Sequence, residues 1–164
     1  MNTRGSGILG RILGVSVSVL LVVGAYAQQP ASGSVSATEI PRDRLIQPEQ
    51  LNRELQTHED HAPLILQVGS HVLFEEAHIP GAEYAGPDSR PAGLNLLRSR
   101  VARLPRTSAI VIYCGCCPWG HCPNIGPAWR LLHQMGFTQV RALYIADNFG
   151  ADWVDRGYRV AKSQ

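Results

Sequence analysis

The sequence has no cysteine outside one short loop, and this limits what its thiols can do. All four cysteines lie between positions 114 and 122 of a 164-residue chain. A disulfide across so few residues contributes roughly 2 kcal/mol to stability, against about 4.7 kcal/mol for a 100-residue loop. Disulfides that join distant parts of the fold are therefore excluded. Local sulfur chemistry, metal binding or a disulfide that shapes the loop remain.

Acidic residues are absent from the first 27 positions, which contain two arginines. An apolar run from Ile12 to Val23 is followed by the small residues Ala25 and Ala27, which suit the positions read by a signal peptidase. These features predict a secretory signal peptide over residues 1–27. The protein is then exported, either to the periplasm or out of the cell, where disulfides are permitted.

The apolar run is also too short for a membrane-spanning helix, which needs about 20 residues. An uncleaved anchor is the alternative, but we expect cleavage and no stable membrane insertion afterwards. Removing residues 1–27 takes two of the fifteen basic residues and none of the thirteen acidic ones, which leaves 13 of each. A neutral exported chain gives no electrostatic reason to expect a nucleic-acid partner.

The remaining sequence divides into a leader, residues 28–44, and a domain, residues 45–164. The leader is predicted to be flexible because residues 28–38 are rich in Ser, Gly, Ala and Gln. In the domain, short apolar runs alternate with amphipathic stretches, which predicts an α/β fold with a small parallel sheet flanked by helices. The predicted strands are Leu64–Val68, Ala109–Tyr113 and Val140–Tyr144. Helices are predicted at residues 45–55, 91–104 and 128–135 and around Trp153. Residues 74–84 are predicted to form a turn or an edge of the sheet.

The cysteine loop directly follows the predicted strand Ala109–Tyr113 and precedes a predicted helix. Ligands of α/β proteins collect at the carboxyl ends of the strands. The free N–H groups of a helix N-terminus favour a negative charge such as a thiolate. Cys114 is therefore the predicted nucleophile. The rest of the active-site loop comprises Gly115, Pro118, Trp119, Gly120 and His121, together with the other cysteines.

The other three cysteines have several possible roles that the sequence leaves open. Cys116 or Cys117 is a candidate resolving thiol, and Cys122 is a candidate disulfide partner of either. The spacing of Cys114 and Cys117 also resembles that of dithiol redox centres. Alternatively, the loop forms a copper or zinc site in a non-catalytic module, with ligands Cys114, Cys116, Cys117, His121 and Cys122.

Four segments in order resemble the rhodanese-like domain family: Gln47–Leu51, His78–Ala82, Val111–Cys114, and Gly136-Phe137 together with Trp153 and Gly157-Tyr158. The resemblance implies a parallel sheet flanked by helices and a sulfurtransferase without a cofactor. It further implies that Cys114 takes a sulfane sulfur from a small donor as a persulfide. A thiol or another thiophilic acceptor then receives that sulfur.

Three departures from the family pattern concern the sulfur donor more than the fold. The loop after Cys114 is longer than usual and contains no arginine or lysine, which family members that use thiosulfate usually have. Gln67 and Gly69 stand where an aspartate and an arginine are usual, and residues 145–148 lack the usual paired glycines. The sequence therefore leaves open whether thiosulfate is a donor.

Overall fold

A computed structural model describes residues 1–2, 37–57 and 62–163 of the chain. The predicted signal peptide, apart from its first two residues, and residues 28–36 of the predicted leader lie outside the described residues. Within the described ranges, no helix is both long enough and apolar enough to cross a membrane.

The fold is built on a five-stranded sheet in the order β1-β5-β4-β2-β3. Every pair of neighbouring strands is parallel, so the predicted α/β class with a parallel sheet is confirmed. The strands are β1 (Leu45–Ile46), β2 (Leu64–Gln67), β3 (Glu83–Tyr84), β4 (Ile110–Tyr113) and β5 (Val140–Leu143). The helices are α1 (Pro48–Thr57), α2 (His71–Glu76), α3 (Pro91–Val101) and α4 (Ile125–Gln134).

The central strand β4 divides the hydrophobic core into two parts. Its four residues are all buried, which agrees with an apolar run that has no polar alternation. Successive side chains of a strand point to opposite faces of the sheet. Ile110 and Ile112 therefore pack with α3 and α4 on one face, whereas Val111 and Tyr113 lie on the other face with Leu51 of α1. This alternation continues to Cys114, which joins the core on the α4 side.

The segment before α1 differs from the prediction. Leu45 and Ile46 were expected to begin a helix, but they form strand β1, and the helix begins at Pro48. Proline disfavours the helical conformation in the residue before it, which separates the strand from the helix. Ile46 pairs with Leu143 of β5 and is fully buried.

The packed part of the chain also begins earlier than the predicted domain boundary at residue 45. Residues Ala37–Glu39 and Arg42–Arg44 form short 3-10 helices. Ala37 and Ile40 are buried in the same part of the core as α4. Their apolar side chains explain why the last residues of the predicted leader pack against the domain.

The stretch predicted as a turn or sheet edge contains a helix as well. α2 ends at Glu76, and the following Pro-Gly turn leads into β3, which is the edge strand of the sheet. His78 pairs with Ala161 in an isolated antiparallel bridge, so the C-terminal segment lies against this stretch. The predicted last helix is one π-helical turn, Gly150–Val154.

Candidate active site

Cys114 lies immediately after β4, at the carboxyl end of the sheet, and is only 4% exposed. The chain turns at Gly115, whose φ of +77° is readily adopted only by glycine. A Cβ at this position would lie 2.9 Å from the Cβ of Phe149, so glycine is also required by the close approach of that ring. The turn holds the thiol at the end of the most buried strand.

Two residues of the β2 end hold Cys114 in place. The side-chain amide of Gln67 donates a hydrogen bond to the Cys114 carbonyl oxygen at 3.1 Å. Gly69 donates its backbone N–H to the Gln67 Oε1 at 3.2 Å, and a Cβ on Gly69 would lie 2.9 Å from the Cys114 Sγ. The two residues that depart from the family pattern, Gln67 and Gly69, thus both contact this cysteine.

Asn124 is a site residue that the sequence analysis missed. It is buried and directly precedes α4, and its Nδ2 lies 3.3 Å from the Cys114 Sγ as a hydrogen-bond donor. Its Oδ1 accepts a hydrogen bond from the Ser89 backbone N–H at 2.9 Å, which fixes the orientation of the amide. An asparagine just before a helix normally suggests a cap. Here its side chain makes no cap hydrogen bond and contacts the sulfur instead.

The loop brings all four cysteines into one cluster, with every Sγ within 4.8 Å of the others. The Sγ atoms of Cys114 and Cys116 are 3.0 Å apart, and those of Cys116 and Cys117 are 3.1 Å apart. All four are free thiols, so the structure does not show the predicted disulfide of Cys122 with Cys116 or Cys117.

The cysteine of this cluster with the lowered pKa is Cys116 and not Cys114, which was the predicted thiolate. The hydrogen bonds with Cys114 and Cys122 lower the pKa of Cys116. The hydrogen bond to Cys116, the one to Cys122 and burial together raise the pKa of Cys114. The more acidic thiol of this pair is therefore Cys116, and the less acidic one is Cys114.

The N-terminus of α4 contacts the sulfur of Cys122, whereas the sequence analysis expected it to contact Cys114. The backbone N–H groups of Asn124 and Ile125 hydrogen bond to Cys122. Cys114 instead has the Cys116 backbone N–H and the Asn124 side chain as its nitrogen donors. The longer loop explains the exchange, because it places Cys122 next to the helix.

A pocket of about 410 Å³ opens beside Cys114. Gln67, Tyr113, Gly115 and Cys116 line it near the thiol; the more distant lining residues are Leu73, Glu76, Ala77, Asn148, Phe149, Gly150 and Val154. Glu76 is the sole ionisable side chain among these more distant residues, and no arginine or lysine of the described part of the chain lines the pocket. The site is thus largely apolar and carries an acidic group at one side.

The remaining loop residues lie around the cluster rather than in it. Trp119 and His121 belong to a 3-10 turn, Trp119–His121, and the Trp119 ring packs 5.3 Å from that of Tyr144. Pro118, Gly120 and His121 are exposed. Among the described residues, the four cysteines alone form the group that could hold a metal ion; His121, a further candidate ligand of the alternative metal site, is not part of this group.

A parallel sheet with a cysteine at the carboxyl end of its central strand defines a small α/β domain of the rhodanese type. The family model for the rhodanese-like domain matches residues 47–144, which is more than half of the chain. The chain therefore belongs to the rhodanese-like domain family, as the resemblance indicated. A comparison with curated protein sequences gives no significant match.

Solved structures share the fold at low sequence identity. The Alr3790 protein from Anabaena sp. is 20% identical with a TM-score of 0.56, over 72% of this chain and 92% of that one. The BH2092 protein from Bacillus halodurans is 19% identical with a TM-score of 0.55, over 72% and 76% of the two chains. The single-domain sulfurtransferase RDL2 from Saccharomyces cerevisiae is 14% identical with a TM-score of 0.50, over 70% and 90%.

Proposed function

We propose that this protein is a sulfurtransferase that carries a sulfane sulfur as a persulfide on Cys114. The observation that carries the proposal is the position of this cysteine in a member of the rhodanese-like family: it directly follows the central strand, lines the pocket and is held by Gln67 and Asn124. The predicted signal peptide would place the reaction outside the cytoplasm, in the periplasm or beyond the cell.

Cys116 is the proposed base for the first step. Its thiolate lies 3.0 Å from Cys114 and takes the Cys114 proton while the Cys114 sulfur attacks the outer sulfur of a donor persulfide, RSSH. The S–S bond of the donor breaks, RS⁻ leaves, and Cys114 becomes a persulfide. An acceptor thiolate then attacks the outer sulfur and releases the Cys114 thiolate, so that atoms and charge balance.

The pocket supports an uncharged or apolar organic persulfide as the donor. Its apolar wall contacts an organic group, whereas Glu76 repels a small anion and no lining cation attracts one. Thiosulfate is expected to be a poor donor for the same reason. Parallel assays with thiosulfate and an alkyl persulfide test this, and a higher kcat/KM for thiosulfate would contradict it.

The test of the sulfurtransferase itself compares two loop variants with the wild type. Cys114→Ser should abolish transfer from the alkyl persulfide to an added thiol, because serine cannot hold the sulfur. The matched control, His121→Ala, changes an exposed residue of the same loop and should leave transfer unchanged. Transfer that survives in Cys114→Ser would overturn the proposal.

A dithiol-disulfide oxidoreductase is a second candidate function, favoured by the 3.0 Å distance between the Sγ atoms of Cys114 and Cys116. In this reaction Cys116 attacks the inner sulfur of the Cys114 persulfide, which yields a Cys114–Cys116 disulfide and one equivalent of hydrogen sulfide. A dithiol reductant must then restore both thiols. The mass of the protein distinguishes the two functions, because loss of two hydrogens together with release of sulfide supports the second and a retained sulfur supports the first.

A further inference from the structure

The thiol cluster has the dimensions of a metal site. A zinc ion with Zn–S bonds of about 2.3 Å places the sulfurs of a regular tetrahedron about 3.8 Å apart. In this protein the two short Sγ–Sγ distances are 3.0 and 3.1 Å, and no pair exceeds 4.8 Å. The spacing of the four sulfurs is thus close to that of a tetrahedral thiolate site. We propose that the four cysteines bind a single thiophilic cation of closed d shell, Zn²⁺ or Cu⁺.

A small cavity lies among three of these sulfurs. Its volume is about 10 Å³, close to that of one water-sized sphere, and Cys114, Cys117 and Cys122 line it. The rest of its lining consists of Gly115 and the apolar residues Trp119, Ile125, Leu143 and Ile145. The space accepts one ion, and four sulfur ligands fill the coordination positions of a tetrahedral structural metal site.

The chemistry of the ligand set selects the class of ion. The four groups are all sulfur, and neither a carboxylate nor an imidazole belongs to the cluster among the described residues. Such soft ligands favour Cu⁺ and Zn²⁺ over Mg²⁺ or Ca²⁺. Hydrogen bonds from the Asn124 side chain to Cys114 and from the backbone N–H groups of Asn124 and Ile125 to Cys122 hold these two sulfurs in place around the site. Each thiol that binds as a thiolate releases its proton.

Metal binding and sulfur transfer then compete for one sulfur. This consequence rests on the proposed function, because Cys114 is both a ligand and the acceptor of the sulfane sulfur. With an ion bound, its electron pair is engaged and the donor cannot be attacked. The metal site itself does not depend on the sulfurtransferase reaction and is tested without it.

The experiment titrates the reduced purified protein, freed of small thiols without oxygen, with Zn²⁺ and separately with Cu⁺ against chromophoric chelators. We expect one ion per chain for at least one of the two metals, and the metal with the higher affinity identifies the cation. Cys122→Ser should weaken binding at least about tenfold, which corresponds to about 1.4 kcal/mol. The control His121→Ala should bind like the wild type. Less than one ion per chain for both metals, or equal affinity of Cys122→Ser and wild type, would overturn the site.

A second measurement uses the unaltered chain, in case Cys122→Ser does not fold. Co²⁺ in a tetrahedral thiolate site gives intense visible absorption and sulfur-to-cobalt charge-transfer bands, and Zn²⁺ should remove both. Absence of these bands would contradict a tetrahedral thiolate site. A stoichiometric ion in a protein whose metal-free, reduced form shows no transfer activity would refute only the sulfurtransferase, whereas transfer by a protein that binds neither metal would refute only the metal site.

Discussion

Cys114, the nucleophile predicted from the sequence, is held by residues whose contacts with it the sequence did not reveal. Cys114 could be identified as the candidate nucleophile because it follows an apolar strand and carries the family resemblance. Gln67, Gly69 and Asn124 contact it from 47, 45 and 10 positions away; the sequence marked the first two only as departures from the family pattern, and it did not mark Asn124. The sharing of protons between Cys114 and Cys116 likewise depends on a distance that exists only in the folded loop.

At the residue scale, Asn124 is expected to favour the ionised form of Cys114. A hydrogen bond to a charged group contributes about 1.5 kcal/mol, which corresponds to roughly one pH unit. Asn124→Ala should therefore shift the rise of the transfer rate to higher pH by about one unit, and Asn124→Ser, which keeps a donor, should shift it less. The pH profiles of kcat/KM measure this effect. Identical profiles for wild type and Asn124→Ala would show that the contact is structural only.

Cys116 gives a second prediction at this scale, because it is the proposed base. Cys116→Ser should lower the transfer rate at neutral pH roughly 100-fold, the usual contribution of a general base. The rate should recover at alkaline pH, where Cys114 ionises without help. Kinetics from pH 6 to pH 10 test this expectation, and an unchanged neutral rate would remove Cys116 from the mechanism.

At the scale of secondary-structure elements, the position of a strand or helix could be predicted where the sequence has a continuous apolar pattern. The four buried residues of β4 and the apolar stripe of α3 gave their positions to within a few residues, and the capping glycine after α4 has the expected φ of +86°. β1 has only two residues, too few for any periodicity. Its strand conformation comes from hydrogen bonds to β5, which lies almost a hundred positions away in the chain.

The central strand should also dominate stability. Ile112 is fully buried and lies between Leu66 of β2 and Ala142 of β5. Ile112→Ala should lower the free energy of unfolding by about 2–5 kcal/mol, because it removes buried methyl groups and leaves a cavity. The matched control is Leu96→Ala on α3, where the side chain is 42% exposed and the change should stay within about 0.5 kcal/mol. Urea unfolding provides both values, and similar losses would contradict the described core.

For the whole molecule, one buried carboxylate makes stability depend on pH. Asp88 is fully buried, and neither of its oxygens has a hydrogen-bond partner among the described residues. Burial raises the pKa of Asp88 to about 8 in the folded protein, above the value in the unfolded chain. The folded state therefore favours the protonated form. Its contribution to stability is complete below about pH 4 and is lost as the pH rises to about 8.

Replacing this carboxylate should remove the dependence. Between pH 5 and pH 8 the wild type should lose up to about 1.4 kcal/mol of unfolding free energy per pH unit through Asp88. Asp88→Asn keeps the shape of the side chain without its ionisation, so its stability relative to wild type should increase with pH. Urea unfolding at pH 5 and pH 8 gives the comparison. A constant difference between the two proteins would contradict the raised pKa.

The central claim is that Cys114 is the sulfur that accepts the sulfane sulfur, and peptide mass mapping tests it most directly. The reduced protein is treated with an alkyl persulfide, blocked with an alkylating reagent, digested and sequenced by tandem mass spectrometry. We predict one additional sulfur atom on Cys114 and none on Cys116, Cys117 or Cys122. An additional sulfur on one of the other three cysteines, with Cys114 unmodified, would contradict the account.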